Sequence, residues 1–131
     1  MPAQLLDGRA LARTMGREIA AEVAAFRAAY GVTPGLAVVQ VGADAASSAY
    51  VGQIERAFAR AGMAYAWHGL PPDAPAQALV ALLRSLNADA RVHGIMVQMP
   101  LPTHLPQGLV TDLLDPRKDV DGIHPLNAGR L

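Results

Sequence analysis

A short apolar run bounded by glycine constrains the fold more than any other feature of this chain. Residues 34–42 read Pro-Gly-Leu-Ala-Val-Val-Gln-Val-Gly, and no charged residue interrupts them. A continuous run of this length, without alternation of apolar and polar residues, is typical of a strand buried on both faces. Such strands belong to parallel sheets whose two faces are covered by helices, so the remaining sequence should supply those helices.

The segment before this strand predicts one long helix, from Asp7 to Tyr30. Its apolar residues recur at spacings of three and four and form one stripe: Leu11, Met15, Ile19, Val23, Phe26 and Tyr30. Asp7 is a suitable N-cap, and Gly31 suits a left-handed C-terminal stop.

The segments after the strand continue an alternation of helices and strands. We predict a helix from Ala45 to Ala61, capped by Asp44 or Ser47 and stopped by Gly62, and then a weaker strand over Met63–Trp67. A third helix follows Pro71-Pro72-Asp73 and should bury Leu79, Leu82, Leu83 and Leu86. A strand over Val92–Gln98 and a short helix over Leu109–Leu114, which Pro116 ends, complete the order. This order favours right-handed βαβ crossovers and an α/β fold, with a three-layer parallel sheet and helices on both faces. Residues 1–116 should form one domain. Residues 117–131 lack periodicity but are rich in turn formers, which predicts a site loop and the start of a linker.

Composition excludes several classes of protein. Eleven basic residues balance eleven acidic ones, and the absence of a basic run argues against nucleic-acid binding. There is no cysteine, so neither a disulfide framework nor a thiolate metal site is expected. The four histidines are scattered without metal-ligand spacing, so we expect no metal. We also expect no signal peptide, no membrane span and a cytoplasmic location. The charged fraction of 17% is low, which suits a surface partly hidden against another domain or subunit.

Two side chains are candidates for a binding site at the carboxyl ends of the strands, where open parallel sheets bind ligands. Gln98 ends the third strand before a Pro-x-Pro brake, so its amide would either point into the cleft with both polar groups free or cap backbone groups. Tyr50 lies near the start of the second helix and shares a face with Ile54. Its ring would either stack on a planar ligand or pack only against its neighbours.

A pair of close carboxylates, Asp119 and Asp121, stands in the irregular C-terminal stretch. Three interpretations stay open: a solvated turn, a weak cation site, or a hydrogen-bond acceptor for a ring that carries amino groups. The EF-hand pattern is absent. No Gly-x-Gly-x-x-Gly or Walker pattern occurs, so this chain offers no nucleotide cradle of its own.

Two longer motifs make the sequence recognisable. Gly94-Ile-Met-Val-Gln-Met-Pro-Leu-Pro102 and Lys118-Asp-Val-Asp-Gly-Ile-His-Pro-Leu-Asn-Ala-Gly-Arg-Leu131 strongly resemble the signatures of the bifunctional methylenetetrahydrofolate dehydrogenase/cyclohydrolase (FolD) family. The run over residues 34–44, the segment Ser48-Ala-Tyr-Val51 and the pair Asp7-Gly8 fit as well. The resemblance covers essentially the whole chain.

The resemblance implies an activity and a set of site residues. Members of the family oxidise 5,10-methylenetetrahydrofolate with NADP and hydrolyse the methenyl product to 10-formyltetrahydrofolate. By resemblance, Tyr50 would stack on the folate, Gln98 would assist at the reacting centre, and Asp121 would hold the pterin ring. Pro100 and Leu101 of the Pro-Leu-Pro segment would also contact the substrate.

The second helix departs from the family pattern. Where the family carries Tyr-Val-x-x-Lys-x-Lys, this chain reads Tyr-Val-Gly-Gln-Ile-Glu-Arg, so Ile54 occupies the position of the catalytic lysine and Arg56 that of the second lysine. A lysine can move a proton, whereas isoleucine cannot and arginine is a poor base. We therefore expect the cyclohydrolase activity to be severely reduced and the dehydrogenase activity to be weakened.

Three functional hypotheses follow. The first is the substrate domain of such an enzyme, without the Rossmann domain that would bind NADP and with a possible homodimer in a full-length form. The second is a folate-binding or partner-binding pseudoenzyme without turnover. The third, a purely structural interaction domain, requires that folate not bind at all.

Overall fold

The computed structural model describes residues 6–42 and 45–130, and for residues 45–48 it describes the backbone only. Eight elements follow in chain order: α1 (Gly8–Tyr30), β1 (Gly35–Val41), α2 (Ala45–Ala61), β2 (Ala64–Leu70), α3 (Ala76–Ala88), β3 (Gly94–Val97), α4 (Gly108–Leu113) and α5 (Pro125–Ala128). The predicted α/β fold class and the alternation of elements are confirmed. The differences are local: β2 runs three residues further than predicted, β3 is shorter at both ends, and the C-terminal stretch contains the one-turn helix α5.

The ends of the first helix follow the predicted chemistry. The Asp7 carboxylate accepts a hydrogen bond from the Ala10 N–H at 3.0 Å, and Gly31 adopts a left-handed φ of 66°. Gly62 likewise has a positive φ of 73° where α2 stops. The predicted α2 caps, Asp44 and the Ser47 side chain, lie outside the described part of the chain.

The three strands form a parallel sheet in the order β2-β1-β3. Because β1 is central, its alternate side chains enter two separate cores. Leu36 and Val38 pack with Val51 of α2 on one face. On the other face, Ala37, Val39 and Val41 join the larger core with Leu79, Leu83 and Leu86 of α3 and Val110 of α4. The sheet is thus covered on both faces, and the predicted Leu82 is only partly buried there.

Helix α1 is the least covered element. Val23 is the buried residue of its apolar stripe, whereas Leu11 and Tyr30 are 61% and 70% exposed. The stripe and α2 border a cavity of about 820 Å³. None of the helices in the described ranges is long and apolar enough to cross a membrane.

Candidate functional site

The end of β3 carries the most unusual polar side chain of the candidate site. The Gln98 N–H donates to the Val39 carbonyl at 2.8 Å, which continues the sheet hydrogen bonding one residue beyond β3. The side-chain Nε2 donates to the Met99 carbonyl at 3.4 Å. This contact favours the amide orientation seen here, because a flipped amide would set two oxygens against each other. The Oε1 atom is buried and has no hydrogen-bond partner among the described residues. Of the two polar groups of the Gln98 amide that were predicted to be free, only the oxygen is therefore free.

The segment after Gln98 divides its residues between the surface and the core. The Met99–Pro100 peptide bond is cis, and Pro100 is exposed. Leu101 is only 5% exposed and packs in the larger core cluster. The predicted surface contact thus fits Pro100, whereas the Leu101 side chain supports this segment from within the core.

Helix α2 begins just after the carboxyl end of β1 and carries the next two candidates. Tyr50 is 51% exposed, so much of its ring is available for stacking. Ile54, one turn later, packs against the cluster of Leu36, Val38 and Val51. The structure thus makes Ile54 part of the apolar contact between α2 and the sheet. Arg56 is exposed, and its guanidinium lies near Gly52.

Residues 118–127, here called the site loop, run beside β3. The Ile95 N–H donates to the Lys118 carbonyl at 2.7 Å, and Ile95 forms a parallel bridge with Asp119. Gly94 permits this approach, because a Cβ atom there would lie 2.6 Å from the Val120 side chain. The loop predicted to carry a site is therefore attached to the strand that ends at Gln98.

The two carboxylates of the site loop have different surroundings. Burial alone would raise the pKa of Asp119, but hydrogen bonds from Asn127, His124 and Ile123 outweigh it and lower the pKa. Burial raises the pKa of Asp121, and the negative charge of Asp119 raises it further. Asp121 is exposed as a whole residue although its carboxyl group is partly desolvated, and no hydrogen bond from the described residues reaches this carboxylate, which leaves it available to a ligand.

These candidates form a set of separate groups rather than a bonded network. In the described ranges, no hydrogen bond or ion pair joins Tyr50, Gln98 and Asp121, and no cluster of three histidine or acidic side chains has the geometry to hold a metal ion. The arrangement offers an exposed ring, an unpaired amide oxygen and a free carboxylate, which together suit a planar ligand rich in N–H donors.

Sequence reasoning gave no structural role to two residues of this region. Asp119 is the acceptor for three hydrogen bonds within the site loop. Lys118 donates from Nζ to the carbonyls of Leu86 and Asp89 at the end of α3. Residue spacing carries no signal for the role of Lys118, because its partners lie 32 and 29 residues earlier in the chain. The partners of Asp119 lie within the same loop, but the sequence pattern also left a solvated turn open.

Comparison with known proteins identifies the family of this chain. The family model described as "Tetrahydrofolate dehydrogenase/cyclohydrolase, catalytic domain" matches residues 6–121. The chain is 50% identical to "Bifunctional protein FolD" of Rhodopseudomonas palustris strain BisA53 over 131 residues, which are 100% of this chain and 44% of that protein. It is also 50% identical to "Bifunctional protein FolD 2" of Rhizorhabdus wittichii over 129 residues, 98% of this chain and 43% of that protein.

Solved structures similar to this chain belong to the same family. A crystal structure of the FolD methylenetetrahydrofolate dehydrogenase/cyclohydrolase of Campylobacter jejuni superimposes with a TM-score of 0.91 at 37% identity, covering 96% of this chain and 44% of that one. The Trypanosoma brucei FolD, complexed with NADP cofactor and inhibitor, has a TM-score of 0.95 at 34% identity, covering 99% and 44%. The chain therefore belongs to the tetrahydrofolate dehydrogenase/cyclohydrolase family, and it spans less than half the length of these relatives.

Proposed function

We propose that this chain is the folate-binding catalytic part of a methylenetetrahydrofolate dehydrogenase/cyclohydrolase, and that it binds a tetrahydrofolate at the carboxyl ends of its strands. In the complete reaction, 5,10-methylenetetrahydrofolate is oxidised to the methenyl form, which water then opens to 10-formyltetrahydrofolate. Family membership supports the substrate class. The observation that carries the proposal for this chain is the buried, unpaired Oε1 atom of Gln98.

An unpaired buried acceptor is costly, since leaving such a group without a partner costs about 1–3 kcal/mol. Such a group in a native protein needs an explanation, and a ligand that supplies the missing donor is the one that fits a position at the carboxyl end of a strand. Reduced pterin rings carry several N–H groups, so a bound tetrahydrofolate can donate to this oxygen. Gln98 would then fix the orientation of the pterin ring.

Two further residues suit the same ligand. The Tyr50 ring, half exposed near the start of α2, can stack on the flat part of the folate. The Asp121 carboxylate can accept hydrogen bonds from the pterin amino and ring N–H groups. Pro100, exposed beside Gln98, supplies an apolar contact at the edge of the cleft.

Ile54 favours a second candidate function, a folate-binding protein with little or no turnover. Hydrolysis of the methenyl group needs a side chain that moves a proton between water and the folate nitrogen, and general acid–base catalysis contributes about 10²–10⁴ in rate. The Ile54 side chain has no titratable group, and it packs in an apolar cluster. On this proposal the chain binds folate through the intact set, and both reactions are slowed.

The cofactor belongs to the part of such proteins that lies outside this sequence. NADP, when bound, accepts the hydride from the methylene carbon. The present chain has no glycine-rich dinucleotide fingerprint, so its own residues would bind and orient the folate only. We propose that the NADP site, and any homodimer, involve a longer form of the protein.

The proposal is tested by replacing Gln98 with leucine, which keeps the volume but removes the amide. Calorimetric titration with tetrahydrofolate should give a Kd weaker by about tenfold or more, because the ligand donor loses its acceptor. The free energy of unfolding should stay level or rise, since the unpaired oxygen is gone. Gln53→Leu, on an exposed position of α2, is the matched control and should leave Kd unchanged. An unchanged Kd in Gln98→Leu would contradict the role of this oxygen.

A further inference from the structure

The turn that carries Asp121 is held together by the side chain of Asp119. The Oδ1 atom of Asp119 accepts from the Ile123 N–H at 3.2 Å, and Oδ2 accepts from the His124 N–H at 2.9 Å and from Asn127 Nδ2 at 2.8 Å. Three donors converge on one carboxylate, which closes residues 119–127 into a compact loop. The Asp119 carboxylate is therefore engaged within the loop, whereas the Asp121 carboxylate accepts no hydrogen bond from the described residues.

The same loop is anchored to the rest of the domain at its two ends. At its start, Lys118 Nζ donates to the carbonyls of Leu86 and Asp89 at 2.9 and 2.8 Å. Near its end, Asn127 Nδ2 donates to the Pro116 carbonyl at 2.8 Å. Hydrogen bonds thus hold both ends and the interior of the loop without a ligand.

Resting on the proposed function, we propose that Asp119 is a positioning residue for ligand binding, whose carboxylate holds the turn in the shape that presents Asp121 to the pterin ring. Asp119 does not contact the ligand in this account. Preorganisation of this kind spares the ligand the cost of ordering the loop. A displacement of about 1 Å in a positioned group can cost about 10²-fold in activity, so loss of the Asp119 bonds should be felt at Asp121.

Asp119 also acts on Asp121 through its negative charge, and this effect works against ligand binding, whereas the positioning effect favours it. Burial raises the pKa of Asp121, and the Asp119 charge raises it further, which disfavours the ionised form that binds. The other charged and titratable groups of this region have partners of their own: Arg117 pairs with Asp115, Arg91 with Asp89, Lys118 with the α3 carbonyls, and His124 Nδ1 with the Leu126 N–H. Position and charge can therefore be separated by measuring binding against pH.

The test is calorimetric binding of tetrahydrofolate by Asp119→Asn over a range of pH. An asparagine offers one acceptor, so its amino group must face the donors on one side of the turn. At neutral pH, where the Asp121 carboxylate is ionised in either protein, we expect Kd to weaken by about tenfold or more. The pH at which binding falls by half should move lower, because the repelling charge is gone. Asp112→Asn, an exposed carboxylate on α4, serves as the control.

A second variant separates position from charge and covers the case in which Asp119→Asn does not fold. Asn127→Ala removes one of the three bonds but keeps both carboxylates, so it should weaken Kd without moving the half-binding pH. If Asp119→Asn folds and binds tetrahydrofolate with the wild-type Kd, the positioning role is overturned, even when the variant is less stable than wild type. If only Asn127→Ala folds, a wild-type Kd in that variant overturns the role in the same way. Failure of the wild-type protein to bind tetrahydrofolate would instead refute the proposed function.

Discussion

Helix α2 and the site loop border the same end of the sheet, yet they retain the chemistry of the family to different degrees. The site loop keeps the full Lys-Asp-Val-Asp-Gly pattern, and the structure uses Lys118 and Asp119 to hold it in place. Helix α2 keeps Tyr50, but the lysine position holds Ile54, which packs on β1 side chains. On the proposed function, the side chains expected to bind a folate are present, whereas an isoleucine, which cannot move a proton, stands where the family pattern has a lysine.

Under the proposed function, this difference predicts that the domain keeps folate binding while turnover is slowed. The replacement at position 54 is compatible with folding, since isoleucine adds apolar area to the interface between α2 and the sheet. A change of Asp119 would have been more damaging, because three donors would lose their shared acceptor. A chain under selection for binding alone could therefore accept the first change but not the second.

The largest expected effect comes from Ile54→Lys. If the remaining site is intact, a lysine here should raise the rate of 5,10-methenyltetrahydrofolate hydrolysis by about 10²–10⁴-fold, the usual contribution of a positioned acid–base group. The lysine stem can keep the apolar contact while the amine reaches the cleft. Gln53→Lys adds the same charge one residue away on an exposed position and should give no gain. No gain in Ile54→Lys would mean that α2 differs from active relatives in more than one group.

A smaller effect is expected in the site loop. Asp121→Asn should weaken tetrahydrofolate binding at neutral pH by about tenfold or more, since hydrogen bonds to charged groups are worth about 1.5–3 kcal/mol. The pKa of Asp121 is raised by burial and by Asp119, so its carboxylate is protonated at a higher pH than an ordinary aspartate. Wild-type binding should therefore be full at neutral pH and decline on acidification, beginning above the usual aspartate range near pH 4.

The asparagine variant tests that sign directly. With no titrating group at position 121, its binding should be weak but flat over the same pH range. Calorimetry at several pH values distinguishes the two profiles. An equally steep acid decline in Asp121→Asn would assign the titration to another group.

The smallest effect concerns the contact between the site loop and β3. In Gly94→Ala, the new Cβ would lie 2.6 Å from the Val120 side chain and 3.2 Å from Leu36, so the loop must move away from the strand. We expect a loss of about 1–3 kcal/mol in the free energy of unfolding, measured with urea, and a weaker Kd. Gly16→Ala is the control, because nothing lies within 4 Å of its new Cβ and alanine favours a helix. Equal stability of Gly94→Ala and wild type would contradict this expectation and show that the site loop moves away from β3 without loss of stability.

Much of the fold could be predicted because local signals agreed with one another. The uncharged run of β1 indicated burial on both faces, and its alternate residues do enter two cores. Asp7 and Gly31 marked the ends of α1 through cap chemistry that depends on neighbouring residues only. The length of β2 was underestimated, because as an edge strand it lacks the apolar run that made β1 visible, and its hydrogen bonds come from β1.

The site was predictable in its residue types but not in its internal bonds. Gln98 was identified at the end of its strand, and the structure adds that only its oxygen is unpaired. Leu101 shared a motif with Pro100, but apolar burial draws its side chain into the core. The bonds of Lys118 reach the end of α3, 32 and 29 residues earlier in the chain, so spacing could not reveal them. The bonds of Asp119 stay within the site loop, where the sequence pattern did not distinguish them from a solvated turn.

The most direct test of this account measures binding and hydrolysis in the same preparation of the wild-type protein. Calorimetric titration with tetrahydrofolate is followed by an assay of 5,10-methenyltetrahydrofolate hydrolysis at a protein concentration above Kd. The account predicts saturable binding, because Gln98, Tyr50 and Asp121 are present. It also predicts hydrolysis close to the uncatalysed rate, because residue 54 has no titratable group. Hydrolysis well above the uncatalysed rate with Ile54 in place, or no binding at all, would contradict it.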